Sequence, residues 1–371
     1  MGRRSSIGLI LSATLIFFCV LISVPANACT GILIKTQDNN YIFGRTMEFA
    51  FDYIAHVLIF VPRNYQYTGH APSGKPGLAW KTKYAQVGFA APSLPLVDDG
   101  LNEQGLYCGA FFQPGFAKYE EVTEKDYPRT ISCLDLASWI LSTCANVAEV
   151  REQLPKIRVC AAVLPELGFV PPTHYFVADK TGDAIVIEYL EGKLNIYDSQ
   201  ANVITNSPNY LWHTTNLRNY IGLKAENNPP MKLNGKEFSQ IGQGSGALGL
   251  PGDFTPPSRF VKAAFLANAA LPGKDVSEGI GIIFHIMNQF DIPQGAIKGE
   301  EAGKVTFDTV QWTSASDLSN ARYYYHTYND RNVRMIDLNK LDLNAADVKS
   351  IKDVQAPGNI RDVSDQLAPS R

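Results

Sequence analysis

Ala26-Asn27-Ala28-Cys29-Thr30-Gly31 is the stretch from which the rest of the chain is read. Upstream, residues 1–25 carry Arg3 and Arg4 near the start and a long apolar run over 7–24. A positive start, an apolar middle and a small-x-small site make a secretory leader, cleaved after Ala28. Cleavage there leaves a chain that begins with cysteine. Such a residue carries a thiol and, one carbon away, a free α-amine able to take the thiol proton, so one residue holds nucleophile and base together. Reference pKa values of about 8.5 for a thiol and about 7.7–8.0 for an α-amine allow that exchange near neutral pH. Downstream, residues 29–36 read as a strand, Asp38-Asn39-Asn40 as a turn, and 41–46 as a second strand pairing back on the first. That hairpin brings Arg45 towards Cys29, where a cation favours the thiolate.

The 371 residues divide into this leader (1–28), one domain (29–341) and a polar tail (342–371) expected to pack poorly. At 45% hydrophobic and 19% charged residues, the chain can bury a sizeable core. The formal charge is −3 and, since the leader holds two arginines and no acid, −5 without it. No basic stripe invites nucleic acid. Beyond the leader no apolar run is long enough to cross a bilayer, so no stable membrane insertion is expected after cleavage. Export to a periplasm or to the medium follows from the leader. Two other readings of Cys29 stay open: a lipid-anchored, non-enzymatic binding protein modified at that residue, and a papain-type hydrolase pairing it with a distant histidine.

Six cysteines less Cys19 of the leader leave five, and an odd number in an exported chain points to a free reactive thiol. Cys108, Cys133, Cys144 and Cys160 sit in apolar contexts, which favours buried thiols over two disulfides. The six histidines are scattered singly and no C-x-x-C or H-E-x-x-H occurs, so no metal is expected. Gly242-Gln243-Gly244-Ser245-Gly246 lacks both the third glycine of a dinucleotide fingerprint and the lysine of a phosphate loop. No cofactor is expected.

Further strands are expected over 57–61, 84–91, 106–112, 159–163, 173–178, 184–189, 194–197, 305–312, 323–328 and 333–337, with 98–105 a run of turn residues. Helices are expected over 132–144 with Ser132 as cap, from Asn146 to 154, and over 211–223, 258–270 with Ser258 as cap, and 276–290. Residues 242–257 must be loop. Blocks of strands alternating with blocks of helices argue for an α+β fold rather than a doubly wound sheet.

Cys29-Thr30-Gly31, Phe43-Gly44-Arg45-Thr46-Met47-Glu48 and Asp99-Gly100-Leu101-Asn102-Glu103-Gln104-Gly105-Leu106 together resemble the choloylglycine hydrolase family of bile salt hydrolases and penicillin V acylases. So do Thr205-Asn206-Ser207-Pro208, Trp212-His213-Thr214-Thr215-Asn216-Leu217 and the run from Leu250-Pro251-Gly252-Asp253-Phe254-Thr255 to Pro256-Pro257-Ser258-Arg259-Phe260. The resemblance implies a four-layer αββα sandwich of the N-terminal-nucleophile hydrolases. It implies Cys29 as nucleophile, Arg45 beside its sulfur, Glu48 holding the α-ammonium, Asn206 donating to the oxyanion, and Arg259 completing the charged ring. Two departures stand out. Glu48 replaces the usual aspartate, and Phe112 stands where the family has asparagine or tyrosine, leaving its backbone N–H as second oxyanion donor. Met47, Phe49, Phe51, Ile54 and Phe111 are candidates to line an apolar acyl pocket. The implied reaction is hydrolysis of a linear amide through a thioester. Conjugated bile salts, penicillin V and acyl-homoserine lactones are the candidate substrates, with a lean towards bile salts, and a homotetramer is a common assembly of the family.

Overall fold

The computed structural model describes residues 29–49, 56–91, 93–301, 304–352, 354–358 and 363–364. The leader, Phe51 and Ile54 lie outside the described residues. Strand β1 (Cys29–Lys35) turns through Asn39, at φ 65°, into β2 (Tyr41–Phe49), with Cys29 opposite Met47 and Gly31 opposite Arg45. Successive side chains on a strand point to opposite faces. Cys29, Arg45, Met47 and Phe49 therefore share one face of this hairpin, and Thr30, Thr46 and Glu48 share the other.

After β3 (Val57–Val61) come a hairpin, β4 (Gln66–His70) and β5 (Pro76–Lys81), and then β6 (Gln86–Ala90), β7 (Val97–Asn102) and β8 (Tyr107–Phe112). Short β9 (Thr130–Ser132) leads to helices α1 (Leu136–Thr143) and α2 (Val147–Gln153) and returns through β10 (Arg158–Cys160). Next are β11 (Thr173–Ala178), β12 (Ala184–Leu190), β13 (Lys193–Asp198) and β14 (Val203–Ile204). Helix α3 (Tyr210–Asn216), the hairpin β15 (Met231–Leu233) and β16 (Lys236–Phe238), α4 (Pro256–Ala269) and α5 (Val276–Met287) follow. The chain closes on β17 (Ile297–Glu301), β18 (Lys304–Asp317), β19 (Arg322–Thr327), β20 (Arg334–Asp337) and β21 (Lys349–Ile351).

Two large sheets result. One runs β14-β1-β2-β18-β19-β20, with β17 on β18; the other runs β13-β12-β11-β8-β7-β6-β3-β21. Phe43, Phe89, Tyr107, Phe111, Phe176 and Trp312 from both sheets form one core between them. Helices α4 and α5 cover the first sheet, and α1 covers the second over a separate core that includes Leu136, Ile140 and Val177. The order helix, sheet, sheet, helix is the αββα sandwich. At Gly44 on β2 an added Cβ would lie 2.3 Å from Ile283 Cγ1, so α5 seats on the hairpin only because that residue is glycine.

Several local expectations are corrected. Residues 97–102 are a strand, not turn, because Asp99 is buried among partners that outweigh the poor β-propensity of aspartate and glycine. The turn shrinks to Glu103–Gly105, where Asn102 Oδ1 accepts from the N–H groups of Gln104 and Leu106 and Gly105 takes φ 82°. Ser132 does not cap α1; its N–H and hydroxyl both donate to Asp135 Oδ2, and the helix starts at Leu136. Ser258 does not cap α4, which starts two residues earlier on Pro256, a residue preset for a first helical turn. Helix α3 ends at Asn216 and continues only as a short 3₁₀ turn to Tyr220. Asn146 does cap α2, accepting from Glu149 N–H at 2.9 Å. The polar tail packs more than expected: β21 extends the second sheet beside β3, and Val354 joins the inter-sheet core.

Candidate active site

Cys29 starts β1 with no exposed surface. Its Sγ lies 3.4 Å from Met47 Sδ and 3.7 Å from Arg45 Nη2, the cross-strand neighbours that the register dictates. Neither partner is a histidine, and the backbone nitrogen of Cys29 points elsewhere, donating to Asn206 Oδ1 at 2.7 Å. Asn206 Nδ2 in turn donates to the Phe112 carbonyl at 2.8 Å, and Arg259 Nη2 donates to Asn206 Oδ1 at 2.6 Å. With two N–H groups on the oxygen and a carbonyl on the nitrogen, the amide has one orientation; flipped, it would face donors with donors. Arg259 also donates through Nη1 to the Cys29 carbonyl at 2.5 Å and to Thr30 Oγ1 at 2.8 Å, and through Nε to Phe254 O at 2.9 Å.

Arg45 reaches the sulfur across the inter-sheet core. Nη2 donates to Ala110 O at 2.6 Å, its guanidinium lies 4.4 Å from the Phe111 ring centre, and Nη1 is 3.7 Å from Asp99 Oδ1. Gly109 makes room for it, since a Cβ there would lie 3.2 Å from Arg45 Nη1 and 2.2 Å from the Tyr107 hydroxyl. Asp99 is itself held by four donors: Tyr107 hydroxyl at 2.6 Å, Trp312 Nε1 at 2.9 Å, Ser314 hydroxyl at 3.0 Å and Tyr323 hydroxyl at 2.8 Å. Burial nevertheless pushes the Cys29 thiol up, outweighing the Arg45 charge that favours the thiolate. The thiol proton therefore needs an acceptor, the part the sequence reading gives to the α-amine of Cys29.

Glu48 occupies the helix-side face of β2, opposite the face that carries the Cys29 side chain, and is fully buried. Neither carboxyl oxygen has a hydrogen-bond partner among the described residues. Burial pushes its carboxyl up to about 8, with Arg259 the strongest opposing charge; Thr46 also pulls it down, though its hydroxyl makes no hydrogen bond of ordinary geometry. Glu48 follows directly in β2 on Met47, the cross-strand partner of Cys29. Glu48 thus sits one step from where a free α-ammonium would appear.

A cleft opens beside this centre, lined by Met47, Phe49, Leu96, Phe112, Leu164 and other apolar side chains, with His56, Asp98 and Thr173 its polar members. Met47, Phe49 and Phe112 line this cleft. Phe111 does not: it is fully buried beneath Arg45 and belongs to the inter-sheet core.

Sequence reasoning missed the residues that hold the site from behind. Asp99 was quoted in a motif but assigned no role. His213 Nε2 contacts Asn206 O at 2.9 Å with its ring stacked on Phe260, and burial lowers its imidazole to about 4, so it serves as a neutral donor. His174 Nε2 contacts Thr205 O at 2.9 Å while its Nδ1 meets Glu188. Trp212-His213 stood in the motif that contains it, and its spacing seven residues beyond Asn206 was the available clue. All five described cysteines are free and buried.

The family description "Linear amide C-N hydrolases, choloylglycine hydrolase family" matches residues 29–351, a match that opens on Cys29 itself. The bile salt hydrolase/transferase of Clostridium perfringens is 34% identical over 330 residues, covering 87% of this chain and 96% of that protein. Penicillin V acylase of Pectobacterium atrosepticum is 25% identical over 349 residues, covering 86% and 83%. A crystal structure of a variant of conjugated bile acid hydrolase from Clostridium perfringens superposes with a TM-score of 0.79 at 32% identity, over 90% of this chain and all of that one. A match of this extent, on a sandwich whose first strand begins with the buried cysteine, settles the assignment: the chain belongs to the linear amide C–N hydrolases of the choloylglycine hydrolase family.

Proposed function

We propose that the protein is exported, loses residues 1–28, and hydrolyses N-acyl amides with an apolar acyl group, conjugated bile salts foremost, using Cys29 as an N-terminal nucleophile. The observation that carries this reading is the buried Glu48 carboxyl, without a hydrogen-bond partner among the described residues and next in β2 to Met47, the cross-strand partner of Cys29. A buried carboxyl without a partner costs on the order of 1–3 kcal/mol or more. An α-ammonium at Cys29 would supply the missing counter-charge, and Ala26-Asn27-Ala28 is where a leader would be cut to create it.

In this mechanism the free α-amine takes the thiol proton as sulfur attacks the amide carbon. The resulting oxyanion is met by the second N–H of Asn206 Nδ2, the first being on the Phe112 carbonyl, and by the Phe112 backbone N–H. The α-ammonium returns its proton to the leaving amine as the C–N bond breaks, leaving a thioester on Cys29. Water then adds to the thioester, the amine taking one of its protons, and collapse releases the acid and restores the thiol. Arg45 steadies sulfur as charge develops, and Arg259 fixes the Cys29 carbonyl and Asn206 in register. The apolar cleft receives the acyl group. Bile salts stand first because the relative at 34% identity carries that name; penicillin V is the second reading, from the acylase at 25%.

The test is direct. Exported protein should have the intact mass of residues 29–371 with a free N-terminal cysteine, and should release glycine or taurine from conjugated bile acids faster than it releases phenoxyacetate from penicillin V. A diacylglycerol adduct at Cys29, or hydrolysis of neither substrate, would overturn the proposal.

A further inference from the structure

Strand β7 pairs with β6 through a register shift: Phe89 lies opposite Asp99 and Ala90 opposite Val97, so Asp98 is an extra residue with no partner across the ladder. A bulge of this kind re-aims a side chain and recurs next to active sites. Its neighbours divide as alternation requires. Val97 packs into the core beneath α1, and Asp99 turns inward to Arg45. Asp98 is left over, and it lines the apolar cleft. Its Oδ1 is buried without a hydrogen-bond partner among the described residues, in a wall that includes Met47, Leu94, Leu96 and Ala110.

Asp98 feels the Arg45 charge, but only as a second carboxyl after Asp99. The guanidinium of Arg45 faces Asp99, and Asp99 is saturated by Tyr107, Trp312, Ser314 and Tyr323. A second carboxyl beside that pair is surplus to it, and burial without a partner penalises the fold. A buried polar atom left unsatisfied by the described residues in an apolar cleft is one that a ligand can satisfy. Burial pushes the Asp98 carboxyl up to about 7, so near neutral pH it can both accept and donate.

We propose that Asp98 is a specificity-determining residue, which hydrogen-bonds a hydroxyl carried on the otherwise apolar acyl group of the substrate. The inference rests on the reading of this cleft as the acyl pocket, and adds the chemical class of acyl group it selects: hydroxylated hydrocarbon over plain hydrocarbon. A site built to pair a substrate hydroxyl rejects the analogue that lacks it, by factors up to about 10⁴–10⁵. The hydroxyl-free acyl group would leave Asp98 as unpaired as it is in the empty cleft.

The experiment compares kcat/KM for glycine conjugates of the hydroxyl-free 5β-cholanic acid and of its mono-, di- and trihydroxylated counterparts, in wild type, Asp98→Ala and Asp98→Asn. Wild type should prefer at least one hydroxylated conjugate over the hydroxyl-free one by tenfold or more. Asp98→Ala should cut that ratio at least tenfold, chiefly by raising turnover of the hydroxyl-free conjugate, and Asp98→Asn, which still hydrogen-bonds, should keep part of it. Asp98→Ala should also unfold at the same or a higher temperature, since it removes a buried unpaired group. A ratio unchanged by Asp98→Ala, or a lower unfolding temperature, overturns the assignment of Asp98 while turnover of the series upholds the acyl-pocket reading. Failure of wild type to hydrolyse any member overturns both.

Discussion

Retaining a single residue before Cys29 should make the stability of the protein depend steeply on pH, through Glu48. In the unprocessed chain burial raises this carboxyl from its ordinary 4.5 to about 8. Below pH 4.5 it is protonated whether the chain is folded or not, and costs nothing. Between 4.5 and 8 the unfolded chain ionises while the folded one holds its proton, so stability falls as pH rises, and above 8 the loss levels off. The rise from 4.5 to about 8, at about 1.36 kcal/mol for each pH unit, amounts to about 5 kcal/mol. Asp98, raised to about 7, adds a slope in the same direction, so the informative quantity is the difference between parent and Glu48→Gln. Urea unfolding followed by tryptophan fluorescence from pH 4 to 9 supplies it. With Ala28 retained, Glu48→Gln should flatten most of the slope and gain stability at pH 8. In protein starting at Cys29, the proposed α-ammonium would pair Glu48, so the parent slope should be shallower and Glu48→Gln should destabilise. Identical slopes for parent and Glu48→Gln in the extended protein would refute the reasoning.

Other outcomes follow from the same geometry. Asn206→Ala should lower kcat by about 10²–10³, as loss of an oxyanion donor does, with Cys29 still acylated slowly in single-turnover assays. Asp99→Ala should cost about 3–5 kcal/mol in urea unfolding, because it strips the counter-charge from buried Arg45 and orphans Tyr107, Trp312 and Tyr323. Gly44→Ala should cost about 1–3 kcal/mol by wedging α5 off β2 at Ile283, read as a lower unfolding temperature with the kinetics of the residual folded enzyme unchanged. Cys29→Ala should keep the fold to within about 1 kcal/mol and abolish both turnover and any covalent acyl adduct seen by mass.

The first hairpin was legible because its chemistry is local: apolar residues in Ile32-Leu33-Ile34 and the Asp38-Asn39-Asn40 turn put Arg45 across from Gly31, two pairs from Cys29 and on the same face. The capped helix α2 was legible for the same reason, since Asn146 and Glu149 are three residues apart. What was hidden depends on partners distant in sequence. β7 looks like turn because its aspartates and glycines are poor strand formers, and only Trp312, Ser314 and Tyr323, more than 200 residues away, explain why Asp99 is buried in a strand. Phe111 looks like pocket lining, yet its place under Arg45 follows from how the two sheets face each other. Motif resemblance supplied Asn206 and Arg259, and it could not supply the bulge that frees Asp98 from its ladder, which exists only in the register of β6 against β7. Nor could the sequence say that burial outweighs Arg45 at the thiol.

The central claim is that removal of the leader creates the catalytic base. It is tested most directly by comparing turnover of one conjugated bile acid by protein that begins at Cys29 with turnover by protein that retains Ala28, intact mass reporting the acyl adduct in each. The free-amine protein should turn over and show a thioester adduct under rapid quench, while the extended protein, with the same thiol, Arg45 and Asn206 but an amide nitrogen at Cys29, should do neither. Equal rates for the two would contradict it.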